Sequence, residues 1–396
     1  MRNPSTPYIT DQLIPYIGNK RKLLSLIHEA VLVTGVRGGT FYDAFAGSGV
    51  ISRLAKVMGY RVISNDWEPY ARVLNEAYIA TNTPPPFSQL GGLDASIAFL
   101  NALPGEKGYI ATHYCPSNDE SYDVTKERMF FTQQNGRRID AIREQIETWW
   151  REGKIDTREK NLLLAPLIYQ TSYTSNTSGV FKGFHKGWGG TTRTAWYRIR
   201  SLLWLRSPIL YDNGRENVVF CEDAAKLSPY VECDIAYLDP PYNQHQYGAN
   251  YHLLNTVALW DKPEISPTIS SHTRDKAAIR TDWRTLRRSP YCSRATALKA
   301  FEELVDGLRA RWILVSYSTD GIIGLEHLLS LLAHKGELKV LVRRYKRYRV
   351  SSTRPSPRPH TNEFVAIINT EAAPRRDSVA RAIEEIRAGG ERSLVL

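Results

Sequence analysis

The hydrophobic positions change period along the chain, and the changes mark its elements. From Thr40 to about Ala80, TFYDAFAGSG reads as a buried strand breaking into a glycine-rich turn and VISRLAKVMG as a helix. RVISND follows as a second strand and EPYARVLNEAYIA as a second helix. That βαβα order predicts a parallel, doubly wound α/β sheet. The proline-rich TNTPPPF (81–87) closes this block. From there to about Arg206 the pattern turns to mixed helix and loop, including the helix-like RRIDAIREQIETWWREGK and the glycine-rich GVFKGFHKGWGG. Sheet signals return with NVVFCEDA (217–224) and DIAYLDPPY, then helical YHLLNTVALW and a polar, basic loop over about 262–292. A helix, ATALKAFEELVDGLRA, leads into strand WILVSYS, and a further helix, GIIGLEHLLSLLAHKG, precedes KVLVRRYKRYRV and NEFVAIIN, read as a terminal antiparallel pair. The pattern therefore predicts two halves of one α/β domain, 1–82 and 207–370, around an inserted domain, 83–206, with a tail, 371–396, that is either a peripheral helix or partly disordered. No internal repeat is present.

Composition narrows the class. At 396 residues and 42% hydrophobic, the chain can bury a substantial core. No apolar stretch approaches the ~20 residues of a membrane helix, and the start lacks the layout of a secretory signal, so a cytoplasmic protein is expected. The four cysteines, Cys115, Cys221, Cys233 and Cys292, lie far apart without a CxxC, which indicates neither a disulfide scaffold nor a zinc cluster. No metal is expected.

Charge points to a polyanion. Lysine and arginine exceed the acids by 52 to 41. Positions 171–206 carry Lys182, Lys186, Arg193, Arg198, Arg200 and Arg206 with no acid, interleaved with aromatics from Tyr173 to Trp204. Positions 341–360 carry seven more basic residues, among them Arg343 and Arg344, again without an acid. One such run is commonly a solvated face; two, the first aromatic-rich, suit phosphates and unstacked bases.

Three segments carry chemistry. In FAGSG (45–49), Gly47 and Gly49 permit a sharp turn close to a ligand, although many strand–helix turns need glycine for geometry alone. The full dinucleotide fingerprint is absent, because Ser52 stands three residues after Gly49. Asp66, closing the second strand, could accept the ribose hydroxyls of an adenosine ligand or cap the helix that follows. Asp239-Pro240-Pro241-Tyr242 ends a buried strand with a carboxylate and an aromatic around a rigid diproline. The Asp239 carboxylate and the Pro240 carbonyl can accept both hydrogens of one exocyclic amino group while Tyr242 stacks on its ring. Such bonds localise the lone pair of a poor nucleophile, which can then attack a methyl sulfonium in line.

With these motifs in this order, the chain resembles the Dam-like (alpha-class, DPPY) DNA adenine N6-methyltransferases of restriction–modification type, over nearly all of its length to about Asn369. YIGNKRKLL (16–24) is similar to the family's amino-terminal cofactor motif, with Tyr16 and Lys20 at the contacting places and Asn19 where a second glycine is usual. DAFAGSG resembles the S-adenosylmethionine loop, which brings in Asp43 and Phe45, and FCEDA the segment near the cofactor's adenine, which brings in Glu222 and Asp223. Asp239 falls at the cofactor site too. The resemblance implies a Rossmann-like methyltransferase sheet, with 1–82 as cofactor half, 83–206 as target-recognition insert and 207–370 as catalytic half. It implies transfer from S-adenosylmethionine to N6 of an adenine flipped out of duplex DNA, with Asn176, Lys182, Lys186 and Arg344 as DNA contacts. NQHQYGANYHLLNTVALWD is close to a subgroup that includes modification enzymes of restriction systems cutting away from their site, which raises a cognate endonuclease as a partner of a monomeric enzyme. An RNA adenine methyltransferase and a catalytically inactive DNA-binding relative remain the alternatives.

Overall fold

The computed structural model describes residues 5–269, 275–280, 283, 285, 287–346 and 360–389. Seven strands form one sheet: β1 (Thr40–Asp43), β2 (Arg61–Asn65), β3 (Val218–Phe220), β4 (Glu232–Leu238), β5 (Arg309–Ser318), β6 (Glu337–Lys346) and β7 (His360–Asn369). Their order across the sheet is β3-β2-β1-β4-β5-β7-β6. The five from β3 to β5 run parallel, and β7 lies antiparallel to both β5 and β6. The expected doubly wound sheet and terminal antiparallel pair are both present. Strand order reverses between β1 and β4, so the loops leaving them diverge and open a crevice at the carboxyl ends, where ligands of such sheets bind.

The apolar runs are continuous because both faces of the sheet are covered. Tyr42, Ala236, Leu238, Ile313 and Val315 pack on one side with the helix Ala297–Gly307. Phe41, Ile235, Tyr237 and Leu314 alternate with them and pack on the other with the helix Leu24–Val33. A third core joins the insert to the rest of the molecule. The long helix Thr157–Tyr173 packs against Pro69–Asn75 and His252–Leu259, and Gln133–Arg151 packs on it within the same core. Arg143, fully buried, donates across this junction to the carbonyls of Val257 and Ala258, and is held by Glu147 one turn along its own helix at 2.8 Å.

Element boundaries differ from the sequence reading in instructive places. Thr157–Tyr173 is a continuous helix with Pro166 inside it; its start is signed by a capping box of Asp156 and Glu159. The helix after β2 ends at Asn75 and widens into a π turn over Glu76–Ala80; the Lys56 ammonium donates to the Ile79 carbonyl within it and to the Thr81 carbonyl just beyond. The tail resolves toward a peripheral helix, Ser378–Ala388, burying Ala382 and Ile386. Most of the basic arm, 347–359, and part of the basic loop, 270–274 with 281, 282, 284 and 286, lie outside the described residues. No helix among the described residues is long and apolar enough to cross a membrane.

Candidate active site

The loops after β1, β2 and β3 are tied together by one buried amide. Asn65 Nδ2 donates to the carbonyls of Ala44 and Glu222, and its Oδ1 accepts the Glu222 N–H at 3.0 Å. The next residue extends the tie, since the two oxygens of Asp66 accept the Gly47 N–H at 2.8 Å and the Glu68 N–H at 2.9 Å. Asp66 thus braces the glycine turn and the following helix start together, with one lone pair on each oxygen left for a further donor. Gly47 and Gly49 adopt positive φ, 51° and 77°. A Cβ on Gly47 would stand 2.9 Å from the Tyr16 ring, and one on Gly49 2.7 Å from Asn75 Oδ1. Here glycine makes room for a protein ring and amide.

A cleft of about 800 Å³ opens over these loops. Of the expected cofactor residues, Tyr16, Phe45, Asp66, Glu222, Asp223 and Asp239 line it, together with Pro240, Pro241 and Tyr242. Asp43, Gly47, Gly49 and Lys20 stand behind its wall. Asp223 also caps the short helix that follows it, accepting the N–H groups of Ala225 and Lys226. Asp43 is fully buried and receives the Ser52 hydroxyl at 2.7 Å, leaving its Oδ1 unpartnered. Burial raises its pKa to about 7; burial likewise raises Asp66 to about 6 and Glu68 to about 7.

At the end of β4, Lys20 faces Asp239. Only 3% exposed, its ammonium lies 2.8 Å from Asp239 Oδ1 and 5.0 Å from the centre of the Tyr242 ring. Burial alone would lower the lysine pKa, but Asp239, Tyr242 and Glu363 around it hold it well above the usual value. Burial pushes Asp239 up and Lys20 opposes that. A permanently charged lysine at this distance favours the carboxylate. Apart from this ion pair, no donor among the described residues reaches Asp239 Oδ1. Tyr242 is braced edge-on by Tyr317, ring centres 5.6 Å apart.

Several lining residues escaped the sequence reading. Tyr247 lines the cleft and packs with Tyr16 at 5.3 Å, with Tyr251, 5.0 Å from Tyr16, and Tyr70 buried behind them. Trp67, Glu68, Gln246, Arg287 and Tyr291 also face the cleft. Trp67 carried a signal, an aromatic directly after the strand-ending acid; Arg287 and Tyr291 sit in an irregular loop with no periodicity to give them away.

The expected DNA contacts divide. Asn176 is fully buried, and this corrects its assignment: its Nδ2 donates to the carbonyls of Met129 and His185, and its Oδ1 accepts the Gly189 N–H. It staples the loop. Phe181, Phe184 and Trp188 point inward from the same loop, while Lys182 and Lys186 between them are exposed. Arg344 is exposed on β6. Thr177, Ser178 and Gly179 face a second, wider cleft that also carries Arg21, Tyr173 and Arg198.

The sheet order, with a glycine turn after β1, an acid after β2 and Asp-Pro-Pro-Tyr after β4, defines the S-adenosylmethionine-dependent methyltransferase fold. The chain belongs to the D12 class N6 adenine-specific DNA methyltransferases, whose family profile matches residues 16–315. It is similar to the type II methyltransferase M.NlaIII of Neisseria lactamica, 32% identical over 344 residues, 85% of this chain and 93% of that protein. The modification methylase StsI of Streptococcus sanguinis is 32% identical over 323 residues, 80% of this chain and 46% of that protein. The type II methyltransferase M.FokI of Planomicrobium okeanokoites is 32% identical over 363 residues, 90% of this chain and 53% of that protein. The chain thus spans nearly all of the first relative and about half of the other two.

Proposed function

We propose that this chain methylates N6 of an adenine at a specific site in duplex DNA, as a monomer, with S-adenosylmethionine as donor, in the cytoplasm. The observation that carries the reading is Asp239, held by a buried lysine at the mouth of the cleft that Asp66 also lines. The target amino group is paired and stacked in a duplex, so the base must leave the helix at a cost of a few kcal/mol. Exposed Lys182, Lys186 and Arg344, and the arginines of the second cleft, would offset that cost on phosphates.

In the cleft, Asp239 and the Pro240 carbonyl accept the two hydrogens of N6, and the braced Tyr242 ring stacks on the base. The nitrogen lone pair is thereby drawn out of conjugation and aimed. Lys20 keeps Asp239 an acceptor by favouring its ionised form. After transfer the nitrogen carries one surplus proton, which leaves to water.

The residues fit the donor. Asp66 offers two free lone pairs to ribose hydroxyls, Glu222 and Asp223 on the cleft wall would face the adenine, and Phe45, Trp67 and Tyr291 give aromatic walls. The Tyr291 hydroxyl is buried without a partner. When bound, S-adenosylmethionine supplies an electrophilic methyl on its sulfonium. A cognate restriction endonuclease is the partner the relatives' names suggest.

Expression in a host free of adenine methylation, followed by sequencing that detects N6-methyladenine, tests the reading. Methylation in one sequence context is expected. Transfer to structured RNA and not to duplex DNA would replace the substrate. Retained DNA affinity with no binding of labelled cofactor would identify an inactive relative.

A further inference from the structure

The segment after the Asp-Pro-Pro-Tyr loop, Asn243 to Gln246, has no part in the chemistry above, yet Gln246 makes a paired contact across 43 positions of sequence. Its Oε1 accepts the Ser289 N–H at 2.8 Å and its Nε2 donates to the Ser289 carbonyl at 3.3 Å. The side-chain amide thus pairs with a backbone peptide edge as a neighbouring strand would. One residue upstream, the His245 carbonyl receives the Cys292 thiol at 3.3 Å.

What these bonds hold is a wall of the cleft. Arg287, Ser289, Pro290 and Tyr291 all line it. Arg287 reaches the Trp67 carbonyl at 3.0 Å, next to Asp66, and the Tyr291 ring meets Phe45 edge-on at 5.3 Å. Residues 287–292 therefore touch the loops after β1, β2 and β4 at once, through Phe45, Trp67 and Gln246. Tyr291 is 4% exposed with an unpaired hydroxyl, so it stands in the wall as a rigid, partly unsatisfied surface.

We propose that residues 287–292 form a fixed strap over the adenosyl end of the cofactor subsite and that Gln246 is the residue that positions it. The proposal rests on the cofactor reading above. Without the amide pairing, the strap keeps its contacts to Phe45 and Trp67 but is left on the β4 side with only the weak thiol bond from Cys292 to the His245 carbonyl. The consequence falls on cofactor retention. Asp239 and Tyr242, which handle the base, are held separately by Lys20 and Tyr317.

The test is a cycle on one bond. Gln246→Ala removes the side-chain partner. Ser289→Pro removes the backbone donor at a position whose φ of −66° already suits proline. Each is expected to raise the dissociation constant of S-adenosylmethionine, measured by calorimetry, about tenfold, the worth of a net hydrogen bond or two. The double variant should be no worse than Gln246→Ala alone, because that variant has already lost the one bond that Ser289→Pro removes. Gln246→Glu, which keeps the acceptor and loses the donor, should fall between. At saturating cofactor, kcat should stay within about twofold of wild type, a split that general misfolding would not give. Unchanged cofactor affinity in the folded single variants, or additive losses in the double, overturns the strap. A wild-type protein that binds no S-adenosylmethionine refutes the cofactor reading instead, while leaving the pairing itself in place.

Discussion

At the scale of single residues, the site turns on how a buried lysine is set against a carboxylate at the cleft mouth. Asp239→Ala deletes the acceptor that localises the N6 lone pair, and kcat should fall by at least about 10²-fold with DNA affinity nearly intact. Methyl-transfer assays beside binding titrations check this. Lys20→Met leaves Asp239 in the same desolvated place without its counter-charge, so the carboxyl protonates more readily. The acid limb of the pH–kcat profile should therefore move to higher pH. Asp43 makes a prediction about stability. The unfolded chain releases this proton near pH 4 and the folded one at about 7, so the native state holds more protons in between. Stability is lost as pH rises through that window. Asp43→Asn keeps the Ser52 contact and removes the titration, so its advantage over wild type in thermal midpoint should grow from pH 5 to pH 8.

At the scale of elements, burial separates the recognition loop's scaffolding from its contacts. Asn176→Ala cuts the ties to Met129, His185 and Gly189, so the loop loses its shape and KM for DNA should rise for every sequence tested. Lys182→Ala should leave the loop folded and lower the slope of log affinity against log salt by about one. The contrast explains what could be read beforehand. Strands β1, β2, β4 and β5 were legible because burial on both faces writes an unbroken apolar run, and Asp-Pro-Pro-Tyr because two prolines end such a run abruptly. Asn176 was misread because a polar residue in a glycine-rich loop looks the same whether it faces solvent or closes the loop on itself. Gln246 and Tyr291 were invisible for a different reason, since their partners lie far off in sequence. Lys20 was legible as part of its motif, and only the fold revealed that its charge is set against Asp239.

At the scale of the whole molecule, the insert is welded to the catalytic half. The core that joins Gln133–Arg151 and Thr157–Tyr173 to Pro69–Asn75 and His252–Leu259 has no internal seam, and buried Arg143 bridges it. We therefore expect urea unfolding followed by tryptophan fluorescence and by far-ultraviolet circular dichroism to give coincident transitions. Two separated transitions would mean that the boundaries near 82 and 206 mark independently stable units.

The placement of β7 has a consequence for how the protein is made. Among the described residues β6 pairs with no strand but β7, and β7 also seals the flank of β5. As the chain leaves the ribosome, β6 emerges with nothing to pair with, and β5 waits with a bare edge until residue 369 is free. The nascent protein therefore passes through a stage with open strand edges, and a chain cut short before His360 is held there. Release of such a truncated chain should give aggregates where the full chain stays dispersed, and supplying the β7 segment as a peptide in trans should lessen the loss.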